Sequence, residues 1–123
     1  MGCSEDQTGE PEPRLIGTAE ARQFFDGTPK ALFVDVREPE EFQNGRIPGA
    51  INLPLDKVEK RESNLPKDRS IVLYESGKSP GDVCAASRAV GRVLLRNGFS
   101  AERLRVYQDG LAGWEKAGLP VER

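Results

Sequence analysis

Short apolar runs punctuate the chain, each bounded by polar or turn-forming residues. They are Leu15-Ile16, Ala31-Leu32-Phe33-Val34, Ile71-Val72-Leu73-Tyr74 and Leu104-Arg105-Val106-Tyr107, with a smaller one at Ala50-Ile51-Asn52. The runs at 31–34 and 71–74 are apolar on both faces, as strands buried inside a parallel sheet are. Leu15-Ile16 reads as an edge strand. Between the runs the spacing turns helical. Residues 19–25 form a helix with Thr18 as its cap, Ala21, Phe24 and Phe25 inward, and Gly27 as its stop. Pro39 opens a short helix over 40–44 that Gly45 ends. Residues 56–62 form a charged, solvated helix. A longer helix closes at Gly98, and a last one spans 111–117 with Trp114 turned to the core. Strands alternating with helices predict an α/β fold: a central, mostly parallel sheet of about five strands with helices on both faces.

Composition narrows what such a domain can do. The 123 residues suit one core. Residues 1–14 are polar and acidic, with Pro11 and Pro13, and read as a disordered tail before a domain over 15–123. Eighteen basic residues against twenty acidic ones, mixed along the chain, leave no footprint for nucleic acid. No apolar run approaches the ~20 residues of a membrane span. The chain has no histidine, which excludes His-based catalysis, and its two cysteines stand too far apart for a metal-binding pair. No metal or other cofactor is implied. With Cys3 in the polar tail, the two cysteines do not suggest a disulfide framework either. Cys3 follows Gly2 and has two readings: an ordinary tail residue of a cytoplasmic protein, or the lipid-bearing residue of a periplasmic lipoprotein after signal removal.

The candidate chemistry lies where the third long apolar run meets the longest helix. Strand-to-helix loops of parallel sheets gather backbone N–H groups and the positive end of a helix dipole. Cys84 lies where this loop becomes helix, and a thiol in a first helical turn has a lowered pKa. Arg88 follows one turn on. Ser76, Gly77, Lys78, Ser79 and Gly81 supply a loop able to cradle an anion. Val83, Ala86, Val90, Val93 and Leu94 define the buried stripe, and Cys84 falls to the side of it. Glu75 puts a negative charge beside the same loop. Asp35 and Arg37, after the 31–34 run, read as a structural ion pair near the site. Gly77-Lys78-Ser79 ends like a phosphate-binding loop, but Val72 stands where its first glycine belongs.

Several segments together resemble the rhodanese-like domain family. Phe33-Val34-Asp35-Val36-Arg37 is similar to its strand and Asp-x-Arg signature. The stretch from Phe42 through Gly45-Arg46-Ile47-Pro48-Gly49-Ala50-Ile51-Asn52 is similar to its F…G-H-I-P-G-A-x-N segment, with Arg46 in place of histidine. Tyr107-Gln108-Asp109-Gly110, Trp114 and Gly118-Leu119-Pro120-Val121 are similar to its closing motif. The resemblance implies sulfur transfer: a cysteine takes sulfane sulfur from a donor such as thiosulfate, holds it as a persulfide and hands it to a thiophilic acceptor. The family's cysteine directly follows the central strand, where this chain has Glu75. Cys84-Ala85-Ala86-Ser87 resembles a subgroup with a further cysteine at the helix start. Two functions follow. In one, Cys84 is the nucleophile, and the 76–81 backbone, Lys78 and Arg88 hold a small sulfur donor or anion. In the other, a catalytically inactive module binds an anion or a protein partner through the same loop. Cysteine phosphatases resemble this family too, but need an arginine six residues after the cysteine, where Val90 stands.

Overall fold

The computed structural model describes residues 12–28, 30–78 and 84–123. Five parallel strands form one sheet: β1 (Arg14–Ile16), β2 (Leu32–Asp35), β3 (Ile51–Asn52), β4 (Ile71–Tyr74) and β5 (Leu104–Tyr107), in the order β1-β5-β4-β2-β3. Strand β4 is buried along its whole length between β2 and β5, which is why all four of its side chains are apolar or aromatic. Parallel pairing brings the C-terminal ends of β2, β4 and β5 into one row, with Asp35, Tyr74 and Tyr107 in register.

The helices are α1 (Thr18–Asp26), α2 (Pro39–Asn44), α3 (Val58–Arg61), α4 (Ala85–Arg96) and α5 (Gly110–Lys116). They bury two apolar layers, one on each face of the sheet. The first joins Val34, Leu73 and Val106 to Val90 and Leu94 of α4, and Cys84 belongs to it. The second centres on Trp114, which meets Phe25, Phe33 and Tyr107 at ring distances of 5.2, 6.0 and 6.2 Å. Edge-on contacts of this kind add to the area that each ring buries.

Three expectations change. Thr18 does not cap α1; Gly17 holds the cap position without a side-chain bond, and the Thr18 hydroxyl instead lies 2.7 Å from the Tyr107 hydroxyl. The charged helix expected over 56–62 is broken into 3₁₀ turns at Leu55–Lys57 and Glu62–Asn64 around the single turn of α3. It has only Val58 buried, so little packing holds it in one regular helix. Residues 12 and 13, assigned to the tail, pack on α4. Pro13 is buried against Gly91, where a Cβ would come within 2.7 Å of the proline ring.

Candidate functional site

The row of strand ends carries the polar residues that the sequence singled out. At the end of β2, Asp35 is fully buried and accepts three bonds from the Arg37 guanidinium, at 2.7, 3.0 and 3.1 Å, and one from the Arg37 backbone N–H at 2.9 Å. The Arg37 guanidinium also donates to the Gly45 carbonyl, tying this loop to the end of α2. Burial pulls the Arg37 pKa down, but the hydrogen bond to Asp35 and its charge outweigh this, and the net shift is upward. Next to them Tyr74 accepts a bond from the Ile47 N–H at 3.0 Å. Burial first, and the nearby Asp35 charge second, raise the Tyr74 phenol well above its ordinary range. These residues make a rigid floor, and their geometry is that of an ion pair.

The loop leaving β4 is locked to the turn after β5. The Glu75 and Ser76 carbonyls accept from Leu111 and Ala112, both at 2.9 Å. Gly77 and Gly110 meet in this lock with φ of +76° and +62°. A Cβ on Gly77 would fall 2.1 Å from the Asp109 carbonyl oxygen, and one on Gly110 would fall 2.5 Å from that of Glu75. Only glycine fits at either position. The Ser76 hydroxyl accepts from the Lys78 N–H at 3.1 Å, and Lys78 is exposed. Of the expected cradle, Ser76, Gly77 and Lys78 therefore stand together beyond β4. Ser79 and Gly81 lie outside the described residues.

Glu75 is placed where the sequence could not put it. Its carboxylate accepts from the Ser87 N–H at 2.9 Å, in the first turn of α4. A carboxylate there satisfies one of the unpaired helix N–H groups and is favoured by the dipole. The chain's own acid thus fills part of the anion-attracting end of α4.

Cys84 is the N-cap residue of α4, with φ −117° and ψ 12°. Two features of it differ from expectation. Its side chain is buried, 1% exposed, among Val36, Leu53 and Val90, and does not lie at the helix surface. Its backbone is not yet helical, so the periodicity of α4 does not set the direction of its side chain. Second, Cys84 is disulfide-bonded, and no described cysteine is a free thiol. The sulfur lies 3.8 Å from the Gln108 carbonyl oxygen, at the end of β5.

Arg88 is also placed differently. It is buried at the start of α4, and its guanidinium reaches Glu12 at 3.2 Å. Glu12 bridges to Arg92 as well. The arginine expected to hold an anion is thus engaged by the N-terminal segment. Sequence reasoning missed Glu12, because no periodicity links an acid flanked by prolines to a helix more than seventy residues away. Arg46 braces the loop before β3: it stacks 4.8 Å from the Phe42 ring and pairs with Glu122 at 2.9 Å. Among the described residues no group of acids and cysteines could hold a metal, and no helix is long and apolar enough to cross a membrane.

An all-parallel five-stranded sheet with its polar loops gathered beyond β2, β4 and β5, and a cysteine at the head of α4, defines an α/β domain with helices on both faces of the sheet. The rhodanese-like domain model matches residues 18–117, and the chain belongs to that family. A sulfurtransferase of Allochromatium vinosum is 36% identical over 107 residues, which cover 86% of this chain and 92% of that protein. An HTH-type transcriptional regulator of Mycobacterium tuberculosis is also 36% identical, over 98% of this chain; the chain spans about half, 49%, of that protein's length. The rhodanese-like domain of an Anabaena protein, solved by NMR, superimposes with a TM-score of 0.72 at 27% identity, covering 90% of this chain and 79% of that one.

Proposed function

We propose that the domain is a sulfurtransferase in which Cys84, once reduced, accepts a sulfane sulfur and carries it as a persulfide. One observation carries this reading: Cys84 is the N-cap residue of α4, at the end of the connection that follows the central strand β4. A helix N-terminus favours a thiolate over a thiol there. The sulfurtransferase of A. vinosum aligns over nearly its whole length.

With thiosulfate as donor, the Cys84 thiolate attacks the outer sulfur, the S–S bond of the donor breaks, and sulfite leaves with the bonding pair. The persulfide anion that remains is the nucleophile for the acceptor. Ser76, Gly77 and Lys78, in the loop leaving β4, are the candidates for contact with the donor. Asp35 and Arg37 hold the floor and take no proton. The test uses protein reduced with a dithiol and then freed of it. On exposure to thiosulfate it gains the mass of one sulfur atom, and cyanide removes that atom as thiocyanate, whereas Cys84→Ser does neither. Equal behaviour of the two proteins overturns the assignment and leaves a binding module.

A further inference from the structure

We infer that the recess beside Asp109 binds a free α-amino acid with an apolar side chain, held at its two charged ends by Asp109 and Lys116. This goes beyond the sulfurtransferase reading and asks nothing of Cys84. The recess has a volume of about 480 Å³ and lies where α1, α5 and the loop leaving β4 come together, with Thr18, Gly77 and Gly113 among its walls. That size falls in the range of small-molecule sites. Asp109 and Lys116 are its only charged lining residues, one of each sign, and both are exposed. Among the described residues neither has an ion-pair partner, and the two do not pair with each other.

The carboxylate is held from below. Tyr107 is buried, its hydroxyl lies 2.7 Å from that of Thr18, and Thr18 donates to Asp109 Oδ2 at 3.1 Å. A hydroxyl has one proton, so Thr18 gives its own to Asp109 and accepts that of Tyr107. Burial, acting against the Thr18 hydrogen bond, raises the Tyr107 pKa and keeps the phenol a donor. The chain ends on one oxygen of Asp109; the other accepts from no described residue. A Cβ on Gly113 would stand 2.4 Å from the Asp109 Cβ, so a bare helix position lets the acid lie against α5. Lys116 follows about 10 Å further along α5, and a long helical side chain leans back toward the N-terminus. A ligand carrying ammonium and carboxylate together satisfies both groups, whereas an ion of one sign leaves the other unpaired. The side chain of the ligand has a place as well. A second recess, of about 670 Å³, shares Thr18 and Ala117 with the first and continues past Ala19 and Leu119. Its charged residues, Arg22 and Asp26, pair with each other at 3.6 Å, which leaves apolar surface for the ligand.

The experiment is a set of amide-resolved NMR titrations of the full chain. L-leucine is expected to shift the amides of Thr18, Gly113 and Lys116 saturably. Leucinamide, which lacks the carboxylate, and isocaproate, which lacks the ammonium, are each expected to bind about tenfold more weakly or worse. Glycine, with both charges and no side chain, is weaker as well. Lys116→Gln is expected to weaken L-leucine by a similar factor and leave leucinamide unchanged. Asp109→Asn, which retains an oxygen to accept from Thr18, weakens L-leucine and leaves isocaproate unchanged. The inference is overturned if L-leucine gives no saturable shift at these amides, or if it binds no more tightly than leucinamide, isocaproate or glycine. L-leucine affinity that survives Lys116→Gln overturns it too, and since Lys116 is exposed that variant keeps the fold whatever Asp109→Asn does. No readout here involves sulfur, so failure leaves the sulfurtransferase reading standing, and failure of that reading leaves this one.

Discussion

Tyr74 serves both the apolar core and the polar row at the strand ends. Its ring closes the apolar layer under Trp114, and its hydroxyl accepts the otherwise unsatisfied N–H of Ile47. Tyr74→Phe removes the acceptor and leaves a buried donor unpaired, which costs about 1–3 kcal/mol, measurable as a lower urea midpoint at unchanged slope. The same residue sets an alkaline limit. Its folded pKa lies above that of the unfolded chain, first because of burial and then because of Asp35. Its contribution is complete below about pH 10, the ordinary phenol value, and is lost as pH rises beyond it. The stability of Tyr74→Phe falls less steeply than that of wild type on the alkaline side, and a pH series of denaturation midpoints checks the sign. Tyr74 was legible in the sequence as the last member of an apolar run. Its hydrogen bond was not, since Ile47 reaches it only through the fold.

Helix α4 carries Cys84 at its start, and Glu75 puts a carboxylate on its first turn. The carboxylate that accepts from Ser87 lies at the end of the helix that would otherwise attract an anionic donor. Glu75→Gln keeps an oxygen to accept the Ser87 N–H and removes the charge. Thiosulfate loading of Cys84 is expected to quicken about threefold to tenfold, mainly through KM, while the rate with an uncharged donor stays level. Steady-state rates at fixed low salt measure this, and equal rates for thiosulfate would refute the repulsion. The bounds of β4 and β5 were legible in the sequence: four apolar positions in a row in one, and Leu104, Val106 and Tyr107 around Arg105 in the other, each between turn residues, have few other solutions. What the sequence hid was the start of α4. Cys84 was counted as helical when it is the cap, and Arg88 looked like an anion binder because Glu12 is distant in sequence.

At the scale of the molecule, the loop after β4 and the turn after β5 behave as one body, interlocked at Gly77 and Gly110. Gly77→Ala adds a methyl group against the Asp109 carbonyl in a left-handed conformation. The expected cost is about 2–4 kcal/mol, combining strain and overpacking. Urea denaturation reads the loss. On the sulfurtransferase reading, sulfur loading per folded chain should fall too, because the proposed donor contacts lie in the same loop. The α/β class and the parallel order of strands followed from the alternation of apolar runs and helical stretches. The interlock did not, since the sequence shows two glycines and not that they touch.

The two outermost strands are short, three residues in β1 and two in β3. Another chain seeking to extend the ladder would find almost no exposed backbone rungs on either margin. Strand addition is therefore a poor way for any partner to hold this sheet.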